Sequence, residues 1–177
     1  MNLIASKTKK MVLAALFVSL DIVLTRFFSF DFMGIERITL NFVPQALCGY
    51  FLGPVWCMLS LVSSDFLGMM LFPTGGAYFF GFTVTAALKG LAYGYVLHNK
   101  PVSFKRIIIS QLISLLVLGV FLNSLWLSMI IPGKGFWMIA KVKILFKFVT
   151  VPATSYILLL IMRAIGKAFS KNAAAKA

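Results

Sequence analysis

Residues 38–72 read ITLNFVPQALCGYFLGPVWCMLSLVSSDFLGMMLF, an almost unbroken apolar stretch. This stretch is too long for a single membrane span, which needs about 20 residues. Gly53-Pro54 is its natural break, because proline ends a helix and glycine permits a turn. The stretch therefore predicts two short transmembrane helices that meet at this break, at 38–52 and 54–72.

The composition of the whole chain extends this interpretation. Of its 177 residues, 61% are hydrophobic and 12% are charged, whereas soluble domains carry roughly 25% charged residues. A chain of this length cannot bury so much apolar surface within itself, but a bilayer can cover it. We therefore expect an all-α integral membrane protein, a single domain over 1–177, with six transmembrane helices at 11–30, 38–52, 54–72, 78–97, 107–131 and 144–163.

The net charge of +13 does not indicate nucleic-acid binding, because the basic residues flank the apolar runs instead of forming a stripe on one face of a soluble domain. Their distribution instead predicts the orientation of the chain in the membrane. Cytoplasmic segments of membrane proteins carry the surplus of lysine and arginine. One side has Arg37, Lys134 and Lys141. The other side has Lys7, Lys9, Lys10, Lys100, Lys105, Arg106, Arg163, Lys167, Lys171 and Lys176. Both termini are therefore predicted to be cytoplasmic.

Cations and aromatic rings converge near the outer ends of the predicted helices. Guanidinium groups bind carboxylates in a bidentate manner, and aromatic side chains stack on flat heterocycles, so the pattern favours an anionic, aromatic ligand. Snorkelling of Arg26 and interfacial anchoring of Trp126 are the structural alternatives. The candidate residues are Arg26, Arg37, Tyr78, Phe79, Asn123, Trp126, Lys143 and Lys147.

Two carboxylates lie deeper in the predicted membrane region, Asp21 in the first span and Asp65 in the third. A carboxylate at this depth is costly and is expected to have a partner. One alternative is an internal pair with Lys89. The other is that one aspartate, with Asp65 as the candidate site residue, accepts N–H donors from the ring of a ligand.

The motifs of common enzymes are missing from the sequence. It has no G-x-x-x-x-G-K-[ST] phosphate-binding loop and no H-E-x-x-H zinc motif, and one histidine leaves little room for general-base chemistry. Cys48 and Cys57 lack metal-site spacing and are interpreted as small buried hydrophobes. We expect no enzymatic activity, no cofactor and no metal. Binding, transport and assembly with another membrane protein remain.

Small residues in the first span, Ala14, Ala15 and Ser19, predict a face on which another helix can approach closely. The segment GLAYG (90–94) gives the fourth span a similar face. Two interpretations stay open for these faces. They pack within the monomer, or they dock a partner protein.

Four segments carry a resemblance to a known family: LTRFFSF with ERITLNFVPQAL, LFPTGGAYFFGFTVTAALKGLAYG (71–94), LNSLWLSMI (122–130) and KVKILFKFVTVP (141–152). Over about 10–165, the chain resembles the S components of energy-coupling factor (ECF) vitamin importers, most closely the folate-specific ones. The resemblance implies a six-helix bundle in a prokaryotic plasma membrane, with one vitamin bound tightly in an outward-facing pocket. It also implies a transmembrane coupling protein and two cytoplasmic ATPases as partners.

The resemblance also bears on individual residues. Ala15 and Ser19 stand where the family carries its A-x-x-x-A docking motif, with a still small serine as the second residue. Lys143 and Lys147 stand where relatives tend to carry an arginine before a lysine, so Lys143 cannot form a bidentate clamp. Folate, with its pterin, second ring and two carboxylates, suits the candidate site. Arg26 and Arg37 would bind an anion or order the loop over the pocket.

Three other functions stay open at this point. The chain could be an S component for another anionic aromatic vitamin. It could be a small ion-coupled secondary transporter that uses Asp21 or Asp65. It could also be a structural subunit whose outer aromatic residues only anchor it in the membrane.

Overall fold

The computed structural model describes residues 6–32, 36–72, 79–130 and 135–174, and side chains within them except at 30–38 and 166–174. Within these ranges the chain forms six helices and one two-stranded antiparallel hairpin. The helices are α1 (Lys7–Arg26), α2 (Phe42–Leu52), α3 (Pro54–Leu71), α4 (Phe80–Leu97), α5 (Phe104–Ile130) and α6 (Phe136–Ala174). The strands are β1 (Ser29–Phe32) and β2 (Glu36–Thr39).

The chain is a multi-pass membrane protein. Within the described residues, α3, α4, α5 and the Phe136–Ile165 part of α6 are long and apolar enough to cross a bilayer. Helix α2 is apolar but shorter. Helix α1 has the length of a span, but it carries three lysines, Asp21 and Arg26, which lower its hydropathy.

The predicted break at Gly53-Pro54 is the junction of α2 and α3. Helix α2 ends at Leu52 and α3 begins at Pro54. Gly53 has φ +88°, a left-handed conformation that glycine adopts without steric cost. Proline is well tolerated in the first turn of a helix, where its missing N–H has no partner to lose.

The connection between α1 and α2 differs from the predicted spans. The first helix ends at Arg26 rather than at residue 30, and the second begins at Phe42 rather than at 38. Between them the strands pair in register, with Ser29 opposite Thr39 and Asp31 opposite Arg37. The predicted spans included only residues 29–30 of β1 and 38–39 of β2 and left the residues between them as a loop. The alternation of polar and apolar residues in SFDF suits a strand.

The last two helices are also longer than their predicted spans. Helix α5 begins at Phe104, and its middle part, Leu112–Leu122, is π-helical. Helix α6 begins at Phe136 and continues to Ala174, well beyond the predicted 144–163. The lysines at 141, 143 and 147 therefore all lie within a regular helix.

Close approach of α4 to α3 organises the centre of the bundle. A Cβ atom added to Gly94 would lie 2.2 Å from Pro54 Cα, and one added to Gly90 would lie 2.6 Å from Met58 Cα. No side chain fits in so little space, so glycine permits the contact. The GLAYG face of α4 is thus used for packing within the monomer, which was one of its two interpretations.

A buried polar network ties α1 to α2 and α3. Asp21 is buried. One of its carboxylate oxygens accepts a hydrogen bond from Gln45 Nε2 at 3.0 Å, and the other accepts one from the Ser64 hydroxyl. Lys89 is near enough to act on this carboxylate electrostatically. Gln45 and Ser64 are partners that neither sequence interpretation of Asp21 had named, and they give this carboxylate a structural role.

Candidate ligand-binding site

An aromatic pair joins the beginning of α4 to the C-terminal part of α5. The ring centroids of Phe79 and Trp126 are 5.7 Å apart, and the Phe82 ring lies 6.0 Å from that of Phe79. Trp126 Nε1 donates a hydrogen bond to Thr85 Oγ1 at 3.1 Å, and Thr85 donates in turn to the Gly81 carbonyl. The indole therefore contacts Phe79 through its ring and Thr85 through its N–H group.

Gly81 provides the space for this pair. A Cβ atom at this position would lie 2.5 Å from Phe79 Cε1 and 2.6 Å from Trp126 Cδ2. Both distances are far below a normal van der Waals contact. Even the smallest side chain at position 81 must displace one of the two rings.

We expect Gly81→Ala to displace the Trp126 indole and weaken its hydrogen bond to Thr85. Overpacking of this kind typically costs about 1–3 kcal/mol. The tryptophan emission maximum of the folded protein should shift, and its thermal unfolding temperature should fall. Gly135→Ala is the matched control, because a Cβ there has nothing within 4 Å. Equal effects of the two substitutions would contradict the assigned role of Gly81.

A carboxylate lies at the α3–α4 interface. Asp65 Oδ2 accepts a hydrogen bond from Thr83 Oγ1 at 2.7 Å. Thr83 is two residues before Thr85, so the carboxylate and the indole are held by the same turn of α4 but from different sides of the helix. Asp65 is only partly buried, which leaves part of it accessible to a ligand.

Two lysines of α6 face the interior of the bundle. Lys143 and Lys147 are one turn apart and only 3% and 9% exposed. They share the buried face of the helix with Ile139 and Val151, whereas Phe148 on the opposite face is 83% exposed. Both lysines also interact with other parts of the protein. Buried lysines within an apolar helix long enough to span a membrane are unusual, which makes this pair a candidate part of the site.

Asn123 lies one turn before Trp126 on α5. Its side-chain carbonyl oxygen Oδ1 is buried and has no hydrogen-bond partner among the described residues. Buried acceptors in folded proteins are normally paired. An unpaired buried acceptor one turn from Trp126 can accept a hydrogen bond from a ligand.

Arg26 is the last residue of α1, and its guanidinium packs on α3. Its Nη2 and Nε atoms lie 3.2 and 3.3 Å from the position of a Cβ on Gly68. Gly68 is three residues after Asp65, so Arg26 lies on the part of α3 that also carries the carboxylate. Next to it, the rings of Phe27 and Phe72 meet edge to face at 5.3 Å.

Two predicted site residues lie outside what the structure describes. Tyr78 is outside the described residues altogether. Arg37 has a described backbone, opposite Asp31 in the hairpin, but its side chain is not among those described.

Among the described candidates, Phe79 and Trp126 are in direct contact. Arg26 packs on the C-terminal half of α3, which also carries Asp65, and Lys143 and Lys147 lie on the buried face of α6. Sequence reasoning missed Gly68, Gly81, Thr83 and Thr85, which position these side chains. A glycine followed by alternating threonines in GFTVT was the signal available for three of them.

The small residues of α1 lie on two different faces. Ala15 and Ser19 are exposed, and Ser19 Oγ donates a hydrogen bond to the Ala15 carbonyl at 3.0 Å. Ala14 instead packs against the hydrophobic core, on the side of the helix that also buries Phe17 and Asp21. The outward face of α1 therefore contains two of the three predicted docking residues.

Comparisons with known proteins find similar sequences over most of the chain. The sequence model of a family described as "ECF transporter, substrate-specific component" matches residues 9–169. The folate transporter FolT of Clostridium novyi (strain NT) is 39% identical over 140 residues, which cover 79% of this chain and 76% of that protein. The folate transporter FolT of Leuconostoc mesenteroides is 32% identical over 132 residues, covering 73% and 69%.

The fold is also similar to that of a solved structure described as the crystal structure of FolT bound with folic acid. The superposition has a TM-score of 0.76 at 28% sequence identity, and it covers 91% of this chain and 94% of that one. The likeness therefore includes the helices that carry the aromatic pair, the carboxylate and the buried lysines.

Proposed function

The chain belongs to the family of ECF transporter substrate-specific components, and from this premise we propose that it binds folate. In this proposal it takes up folate at the outer side of the membrane as the substrate-specific subunit of an ATP-driven importer. The observation that carries the proposal is the likeness to the folic-acid-bound FolT structure over 91% of this chain. The chemistry of the site supports it independently.

The proposed site offers a partner for each chemical feature of folate. Aromatic rings stack on flat heterocycles, a carboxylate and an amide oxygen accept N–H groups of the pterin, and cations bind the two carboxylates of the glutamate tail. We assign substrate binding to the whole set of candidates: Arg26, Arg37, Asp65, Tyr78, Phe79, Asn123, Trp126, Lys143 and Lys147.

Two observations favour binding over ion-coupled transport. Asp21, one of the two carboxylates that such a transporter could use, is engaged by Gln45 and Ser64. Asp65 accepts a hydrogen bond from Thr83, in the same turn of α4 that holds the Trp126 indole, and it is only partly buried, so it can accept N–H groups of a ring. Most of the proposed site residues are aromatic or cationic, and such residues are suited to recognising an aromatic anion.

The remaining parts of the proposal concern topology and partners. Both termini are cytoplasmic, and the protein resides in a prokaryotic plasma membrane as one domain. A transmembrane coupling protein and two cytoplasmic ATPases complete the importer and supply its energy. The small residues of α1 dock the coupling protein. Of the three residues predicted for this role, Ala15 and Ser19 face outward, and Ala14 supports the helix from within.

The detergent-purified protein should bind folate by itself with a dissociation constant below about 1 μM, or roughly −8 kcal/mol. The reason is that all the proposed ligand residues lie in this chain. Titration calorimetry measures the affinity, and native mass spectrometry of the untreated protein identifies a ligand that co-purifies. Weaker binding of folate, together with a co-purifying molecule of another mass, would assign a different vitamin.

Reconstituted alone in liposomes, the same protein should accumulate no folate against a gradient, with or without a proton gradient. Uptake should appear only when the coupling protein, the ATPases and ATP are added. Accumulation by the lone protein that stops when the proton gradient is dissipated would identify a secondary transporter instead.

A further inference from the structure

A second group of buried polar side chains lies on the helices that carry the aromatic pair and the lysines, but toward their other ends. It consists of Tyr93 on α4, Gln111 and Ser114 on α5, and Ser155 on α6, each at most 1% exposed. The Tyr93 hydroxyl donates a hydrogen bond to Gln111 Oε1 at 3.0 Å. Ser114 lies near the same hydroxyl, but its Oγ makes no hydrogen bond of normal geometry with it. None of these residues belongs to the proposed folate site.

Helix α6 begins at Phe136, soon after α5 ends at Ile130, and the two helices contact each other. Two neighbouring helices joined by so short a connection run in opposite directions, which brings Ser155 to the level of Gln111. Ile107 and Leu158 belong with Tyr93 to one buried cluster. Gln111 is one turn after Ile107, and Ser155 is about one turn before Leu158. Because the helices run in opposite directions, Gln111 is displaced from Ile107 in the same direction as Ser155 is displaced from Leu158.

Three polar atoms of this group have no hydrogen-bond partner among the described residues: Gln111 Nε2, Ser114 Oγ and Ser155 Oγ. Unpaired polar groups are particularly unfavourable inside a membrane protein, where bulk water cannot reach them. Several other hydroxyls of the same helices are paired with backbone carbonyls; Ser110, for example, donates to the Ile107 carbonyl at 2.8 Å. Ser124 on α5 is also unpaired among the described residues, but it lies two residues after Leu122, where the π-helical part ends, far along the helix from Gln111.

The backbone at this place is also irregular. The π-helical part of α5 begins at Leu112, directly after Gln111, and includes Ser114. π-helical segments are uncommon and often occur at functional sites. Their changed pitch moves Ser114 away from the position that it would have in a regular α-helix.

We propose that ordered water binds among Tyr93, Gln111, Ser114 and Ser155 as a fixed part of the bundle. A buried water molecule needs two to four polar partners. Gln111 Nε2 supplies N–H donors, the two serine hydroxyls can donate or accept, and the tyrosine oxygen keeps a free lone pair. One or two water molecules would thus pair all the atoms that the protein leaves unpaired.

X-ray hydroxyl-radical footprinting tests this water site, because radicals formed from bound water oxidise the side chains next to it. Tyr93 is shielded from bulk solvent, so its oxidation would report internal water. The control is Phe42, an aromatic residue that is 3% exposed and buried in the same hydrophobic cluster. Each rate is normalised to that of the same residue in denatured protein. We expect Tyr93 to be oxidised about tenfold faster than Phe42, since only Tyr93 touches the site.

Substitutions locate the water. Gln111→Leu keeps the side-chain size but removes the unpaired amide, and it should lower the rate at Tyr93 to that of Phe42. Ser155→Ala removes one hydroxyl from the site and should lower the rate severalfold, so the test remains available if the leucine variant does not fold. Ser110→Ala is the control and should have no effect. Equal wild-type rates at Tyr93 and Phe42, or a rate at Tyr93 that neither variant changes, would overturn the proposal.

Discussion

Lys143→Met should lower the affinity of the protein for folate by about 100-fold, or roughly 2.7 kcal/mol. Lys143 is 3% exposed on the inner face of α6, where little water screens its charge. A hydrogen bond between charged groups contributes about 1.5–3 kcal/mol, so loss of the ammonium group should remove much of the binding to a ligand carboxylate. Methionine keeps the length and the apolar part of the side chain. Titration calorimetry on the purified protein measures the effect.

Two further variants make the test specific. Lys141→Met removes a lysine from the exposed face of the same helix and should change the affinity by less than about twofold, as surface charges contribute little. Lys143→Arg keeps the charge and should bind folate more tightly than Lys143→Met. If the methionine variants at 141 and 143 bind folate equally well, Lys143 is not a ligand residue.

The helical parts of the fold were largely predictable, because each depends on local sequence. The Gly53-Pro54 break needed only the chain conformations that these two residues allow. The hairpin was missed because its strands are four residues long and adjoin apolar spans. The π-helical part of α5 has a sequence as apolar as a regular transmembrane helix, so no pattern distinguished it.

The site was predictable in its residue types but not in its contacts. The spacing of Lys143 and Lys147 placed them on one face of a helix, but only packing determines that this face is buried. Trp126 and Thr85 are 41 residues apart in the sequence, and Ser64 and Asp21 are 43 apart. The i, i+4 spacing placed Ala15 and Ser19 on one face of α1, but alanine is equally suited to the core and to a docking face, so only packing shows that Ala14 points inward.

Ala15→Trp and Ser19→Trp should abolish assembly with the coupling protein and folate uptake, and leave the folate affinity within a few fold. Both residues are exposed on the outward face of α1, and a close helix crossing requires small side chains at the contact. Arg26, where α1 meets the proposed site, is two to three turns beyond them, at least about 10 Å at 1.5 Å per residue. A tryptophan on the outward face should therefore not reach the ligand.

Ala14→Trp is the matched control, because it places the same side chain on the neighbouring residue of the inner face. Ala14 packs against the core on the side of Phe17 and Asp21, where overpacking typically costs about 1–3 kcal/mol. This variant should lower thermal stability and folate affinity together. Co-purification with the coupling protein, folate titration and thermal unfolding are measured on all three variants. If Ala15→Trp loses stability and folate binding to the same extent as Ala14→Trp, this face of α1 serves the monomer's own packing and the docking surface lies elsewhere.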